Sequence, residues 1–188
     1  MISYDGRHAG RFLRTIQGNE LRKLTIMLAA AVMVFAFQTP AVMADDPDFL
    51  ALGGGWYDWN DNEDAFDFRA EYRSDYKMLG IAKPWVGIEA SSDLAIYAVG
   101  GVLVDLYFGR RWVFTPSFGA GVYGDGSGKD LGHMVEFRSQ LEFGYRFDNR
   151  SRVSLAVSHI SNAGLGDSNP GTEIATIYYN IPFSDIIE

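Results

Sequence analysis

Val135-Glu136-Phe137-Arg138-Ser139-Gln140-Leu141-Glu142-Phe143-Gly144-Tyr145-Arg146-Phe147-Asp148 alternates without a break. One set is Val135, Phe137, Ser139, Leu141, Phe143, Tyr145 and Phe147; the other is Glu136, Arg138, Gln140, Glu142, Gly144, Arg146 and Asp148. Successive side chains of a strand point to opposite faces, so this is a strand with one apolar and one polar face. Its seven pairs exceed the ~5–6 residues usual for a strand of a soluble domain. Residues 66–73 repeat the pattern, with Phe66, Phe68, Ala70 and Tyr72 against Asp67, Arg69, Glu71 and Arg73.

Working outward, the same period predicts eight strands, at about 48–58, 64–74, 82–91, 94–108, 112–123, 134–147, 151–161 and 174–183. Several are long enough to cross a bilayer as tilted strands, which takes ~9–11 residues. Trp85, Trp112, Tyr107, Tyr123, Tyr145 and Tyr178 lie near predicted strand ends, where an interfacial aromatic girdle would stand. Alternation alone does not say which face is inside, because soluble and membrane barrels share it. The connections do. With the N-terminus in the periplasm, the turns at 109–111 and 148–150 are short and that at 75–81 is longer, while the outer loops at 124–133 and 162–172 span about ten residues. Short turns on one side and long loops on the other fit an outer-membrane barrel. The charges on the polar face come in both signs and can pair in a closed interior. The expected fold is therefore all-β: an eight-stranded antiparallel transmembrane β-barrel over residues 45–188.

Residues 1–44 read as a signal peptide. Arg22 and Lys23 precede an apolar run, 24–37, and Val42-Met43-Ala44 offers a small-residue cleavage site. The run is shorter than the ~20 residues of a spanning helix. Removal takes five basic and two acidic residues, so the charge of −8 becomes −11. An exported, acidic chain argues against a nucleic-acid partner. The absence of cysteine excludes disulfides, thiolate metal sites and a cysteine nucleophile.

A polar group interrupts the apolar face of the seventh strand. Val153, Leu155, Val157, His159 and Ser161 share that face, and Glu173 has the parity of Ala175, Ile177 and Tyr179 on the eighth. Strand direction puts His159, Ser161 and Glu173 at the outer end, facing lipid. Polar groups there are costly, and they mark a functional site by default. A serine, a base two residues away and an acid on the returning strand are the parts of a nucleophilic hydrolase. The substrate this placement predicts is a lipid of the outer leaflet, entering sideways.

The run His159-Ile160-Ser161-Asn162-Ala163-Gly164, followed by Asn169-Pro170-Gly171-Thr172-Glu173, resembles the lipid A 3-O-deacylase (PagL-like) outer-membrane enzymes. The likeness is carried by residues 158–173. It implies Ser161 as nucleophile, His159 as base, and Glu173 as the acid that orients it. It also implies Asn162 and Gly164 as oxyanion donors, lipid A or lipopolysaccharide as substrate, and no cofactor or metal. An acyltransferase would share this chemistry but needs an acceptor. A structural or adhesive eight-stranded barrel would leave Ser161 and Glu173 dispensable.

His133 reads as a solvated loop histidine, with no ligand set around it. The patch Asp58, Asp61, Asn62, Glu63 and Asp64 has the carboxylates for a divalent cation but lacks an EF-hand spacing, and reads as a solvated loop. Gly53-Gly54-Gly55 and Gly119-Ala120-Gly121 read as strand flexibility or close packing, not phosphate loops.

Overall fold

In the computed structural model, residues 46–59 and 64–186 are described. The expected signal peptide lies outside them. The strand segments are β1 (Phe49–Tyr57), β2 (Ala65–Arg73), β3 (Lys83–Ser91), β4 (Ile96–Leu103), β5 (Leu106–Phe108), β6 (Trp112–Gly124), β7 (Val135–Arg146), β8 (Arg152–Ser161) and β9 (Thr172–Pro182). Each pairs antiparallel with its neighbours, and β1 pairs with β9. β4 and β5 both pair with β6, as two lengths of one stave, which closes the sheet into a barrel of eight. The interruption has a local cause. Pro116 accepts from the Val104 N–H at 3.0 Å but has no N–H to return, so the ladder lapses there.

The polar face is inside. Asp67, Arg69, Glu71, Arg73, Glu89, Glu136, Arg138, Gln140 and Glu142 are all buried, while Phe66, Phe68, Val86, Ile88, Leu141, Phe143, Leu155 and Ile177 are exposed. This inverts a soluble domain and matches a wall in contact with hydrocarbon. The interior is filled rather than open. Arg69 reaches Asp67 at 2.7 Å, Glu89 at 3.0 Å, Gln140 at 2.9 Å and Ser158 at 3.0 Å. Arg138 pairs with Glu71 and with Glu89 at 3.1 Å, and Arg73 with Glu71 at 2.8 Å and Glu142 at 2.9 Å. Buried charges need such partners, since removing one leaves the other stranded at a cost of ~3–5 kcal/mol.

The aromatic girdle needs correction. Trp85, Tyr123 and Tyr178 are buried inside the barrel, not at its lipid face. Trp85 shares the parity of Lys83 and Glu89, and its ring lies 4.3 Å under the Arg138 guanidinium. The inner glycines make room for these rings. A Cβ on Gly119 would lie 2.7 Å from Trp85, and one on Gly53 would lie 2.8 Å from Tyr178. Of the expected girdle, Trp112 does face outward. It stacks on Phe143 at 5.2 Å and meets Tyr145 edge-on at 5.1 Å.

Strand direction sorts the connections. Loops 92–95, 125–134 and 162–171 leave one rim, where β1 also ends and β2 begins, with turns 74–82, 109–111 and 147–151 at the other. The long 125–134 and 162–171 loops share a rim, as expected for the outer side.

Candidate active site

β8 and β9 bring the polar group together by register. His159 lies directly opposite Glu173, and His159 Nδ1 is 3.0 Å from Glu173 Oε1. Both side chains are partly exposed on the outer face, at 47% and 35%. β9 begins at Thr172, two residues before the expected start, so Glu173 is held by the ladder and not by the loop. Ser161 closes β8 on the same face and pairs with Phe137 of β7.

This geometry sets the tautomer. With the Nδ1 hydrogen directed at the Glu173 carboxylate, the lone pair of Nε2 is left for a proton from a neighbouring hydroxyl. No hydrogen bond joins Ser161 to His159 among the described residues.

Gly171 shapes the other edge of the imidazole. Its φ is +67°, a left-handed conformation that suits glycine, and a Cβ there would lie 2.9 Å from His159 Cε1 and 3.5 Å from Nε2. Ser139 of β7 lies opposite His159 and is exposed, the one serine in the outward row of that strand.

Asn162 takes the opposite parity to Ser161 and is fully buried. Its Nδ2 donates to Leu131 O and Ser168 O, each at 2.8 Å, and its Oδ1 accepts the Gly164 N–H at 2.9 Å. The Asn162 N–H donates to Asn169 Oδ1 at 3.0 Å. One side chain thus ties the 162–171 loop to the 125–134 loop. In this state the side-chain amide of Asn162 and the N–H of Gly164 both have protein partners.

Beneath the site lies a support that sequence reading missed. Asp58, read as solvated, is buried. It accepts from Lys129 Nζ at 2.8 Å and Thr172 Oγ1 at 2.9 Å. Tyr57 and Tyr123 share a hydrogen bond at 3.0 Å, and the Tyr123 hydroxyl donates to Lys129 O at 2.7 Å. Thr172 precedes Glu173, so this cap fixes the start of β9. His133 is exposed, and its Nδ1 accepts the Val135 N–H at 2.9 Å, a turn-closing role. Among the described residues, no three His, Asp or Glu side chains cluster to hold a metal ion.

A family model described as lipid A 3-O-deacylase (PagL) matches residues 50–182. A lipid A deacylase PagL of Bordetella bronchiseptica is 31% identical over 77 residues, 40% of this chain and 43% of that protein. A lipid A deacylase PagL of Pseudomonas aeruginosa is 35% identical over 54 residues, 29% of this chain and 31% of that one. Each alignment therefore spans less than half the relative's length. The crystal structure of the outer membrane enzyme PagL superposes with a TM-score of 0.56 at 18% identity, covering 71% of this chain and 99% of that one. At that identity the likeness concerns the fold.

Proposed function

Since the chain belongs to the lipid A 3-O-deacylase (PagL) family, we propose that it is an outer-membrane esterase that removes the 3-O-linked acyl chain of lipid A. The observation that carries this reading is the His159–Glu173 contact of 3.0 Å on the lipid-facing wall, with Ser161 on the same face at the outer end of β8. An ester linkage in the outer leaflet lies at this depth and meets the site from the side.

In the reaction, Ser161 Oγ attacks the ester carbonyl carbon while His159 Nε2 takes the hydroxyl proton. Glu173 stabilises the imidazolium and keeps Nδ1 protonated. The tetrahedral intermediate collapses by breaking the bond to the sugar oxygen, which receives the proton from His159. Water, deprotonated by His159, then cleaves the acyl-serine. The products are a free fatty acid and lipid A with a free 3-hydroxyl, and no cofactor takes part.

We assign the oxyanion contact to the Gly164 N–H. It exchanges its bond to Asn162 Oδ1 for the developing charge, and Asn162 holds the loop that presents it. One such donor is worth ~3–4 kcal/mol of barrier. Residues 1–44 serve in this reading as the export signal, and N-terminal sequencing of the membrane-extracted protein should begin at Asp45.

The test is mass spectrometry of lipid A incubated with refolded protein, beside Ser161→Ala. Loss of one hydroxyacyl chain with the wild type only is the expected result. Intact lipid A from a folded wild-type barrel would sink the hydrolase reading in favour of a structural barrel. Acyl transfer to an added acceptor lipid would replace it by a transferase.

A further inference from the structure

The rim opposite the active site carries a cluster that the proposed reaction does not use. Arg110 and Arg111 lie in the turn between β5 and β6, Arg146 ends β7, and Arg150 lies in the turn into β8. With Phe147 and Asp148 they line a shallow cavity of about 110 Å³. The two turns are bound together, since the Arg146 N–H donates to Arg111 O at 2.7 Å. Four arginines and one carboxylate line the cavity. Asp148 pairs with Arg111 at 2.8 Å, yet its side chain is 90% exposed, so water weakens that pair. Arg146 reaches inward toward Asp46 at 3.7 Å.

A second feature sets the level of this cluster in the membrane. Trp112, Phe143, Tyr145 and Phe147 form a continuous run of ring contacts at 5.1–5.3 Å on the outer wall, directly beside the arginines. Arg111 lies over the Tyr145 ring at 5.8 Å. Tryptophan and tyrosine collect at the boundary between hydrocarbon and headgroups. Arginines just beyond such a belt stand among the headgroups, where a planar guanidinium binds phosphate with two parallel hydrogen bonds. The outer rim is unlike this: among the described residues of its loops, the one cation is Lys129, engaged with Asp58.

We propose that this cavity binds the phosphodiester headgroup of an anionic glycerophospholipid of the inner leaflet, with Arg110 and Arg111 as the principal contacts. β7 runs from Val135 at the outer rim to Arg146 at the inner one, so this site and the deacylation site lie at opposite ends of the wall. The lipid bound here is not the substrate. It anchors the inner rim at headgroup depth and fixes the height of the barrel, and hence of Ser161, in the bilayer.

Native mass spectrometry tests this on the refolded barrel released from bilayers of equal phosphatidylglycerol and phosphatidylethanolamine. The wild type should retain phosphatidylglycerol in preference. The double variant Arg110→Gln, Arg111→Gln should lose that preference by about 25-fold, at roughly five-fold per basic group. Asp148→Asn removes the competing carboxylate and should raise retention. A heat-dependent gel shift verifies that each variant is folded. Equal retention by the wild type and the double variant would overturn the proposal. Full displacement by excess inorganic phosphate would overturn the lipid and leave a phosphate site. None of these readouts depends on deacylase activity.

Discussion

Gly171 offers a measure of how tightly the proposed base is held. In Gly171→Ala the new methyl would lie 2.9 Å from His159 Cε1, against the 3.4–4 Å of ordinary contact. One partner must retreat by ~0.5–1 Å. The ring is also held through Nδ1, the atom next to Cε1, by the 3.0 Å bond to Glu173, so retreat either stretches that bond or swings Nε2 away from Ser161. A misplacement of ~1 Å in a catalytic group costs about 100-fold, and half of that about 10-fold, or ~1.4–2.8 kcal/mol of barrier. The substitution also meets a second penalty. At φ +67° an alanine pays ~1–2 kcal/mol of backbone strain, which acts on stability.

The two penalties separate in a small series. Asparagine tolerates the left-handed region but brings the same Cβ, so Gly171→Asn should recover stability and not kcat. Gly80→Ala, at φ +81° with nothing within 4 Å, pays strain without a clash and should keep kcat. The assay is the initial rate of fatty-acid release from lipid A in micelles, resolved into kcat and KM, beside a urea titration of each variant. The reasoning fails if Gly171→Ala holds kcat within about two-fold of wild type, or if Gly171→Asn restores it.

Three further outcomes are expected. Asn162→Ala strands two loop carbonyls and the Gly164 N–H, and should lower stability by ~2–3 kcal/mol in urea titration, with deacylation falling in step. Arg138→Met removes one of the two arginine partners of Glu71 and of Glu89 inside the barrel, and should cost ~3–5 kcal/mol; a shift under ~1 kcal/mol would mean that Arg73 and Arg69 suffice to neutralise the two carboxylates. Asp48 precedes β1, and burial alone would raise its pKa; hydrogen bonds from Tyr72, the Asp75 N–H and Ser74 outweigh that and hold it below 3.8. A depressed folded value stabilises above the ordinary carboxylate range, and the contribution is lost as pH falls through the folded value. Amide exchange at Asp75 should therefore accelerate below about pH 4 in the wild type and be independent of pH there, after correction for intrinsic exchange, in Asp48→Asn.

The wall of the barrel was legible because its signal is strictly periodic. Glu136, Arg138, Gln140 and Glu142 fall inside and Leu141 and Phe143 outside, as the alternation requires. The girdle was misread because Trp85 and Tyr178 were placed by their distance from strand ends without regard to parity. Their own strands carry the correction, since Trp85 has the parity of Glu89 and Tyr178 that of Thr176 and Asn180. The pairing of His159 with Glu173 was readable as a hairpin across a turn-rich loop. The Asp58–Lys129–Thr172 cap was not. Its members come from three separate stretches, and no period links a loop carboxylate to an amine 71 residues away.

The site is a product of register. His159 meets Glu173 because β8 and β9 pair as they do, and a slip of one residue would turn Glu173 into the barrel and leave the imidazole without its acid. The outer face cannot hold that register, since apolar side chains in contact with lipid slide past one another at little cost. The inner face can. Asn180 Nδ2 donates to Ser154 Oγ at 3.2 Å, Thr176 Oγ1 to Asp67 at 3.2 Å and Arg69 to Ser158 Oγ at 3.0 Å, so inward residues of both strands are tied by directional bonds. At the outer end the Asn162 clamp and the Asp58 cap fix the loop that joins them. The buried polar network thus does for the proposed triad what a hydrophobic core does in a soluble hydrolase. A polar site on a lipid-facing wall takes its precision from the opposite side of the same two strands.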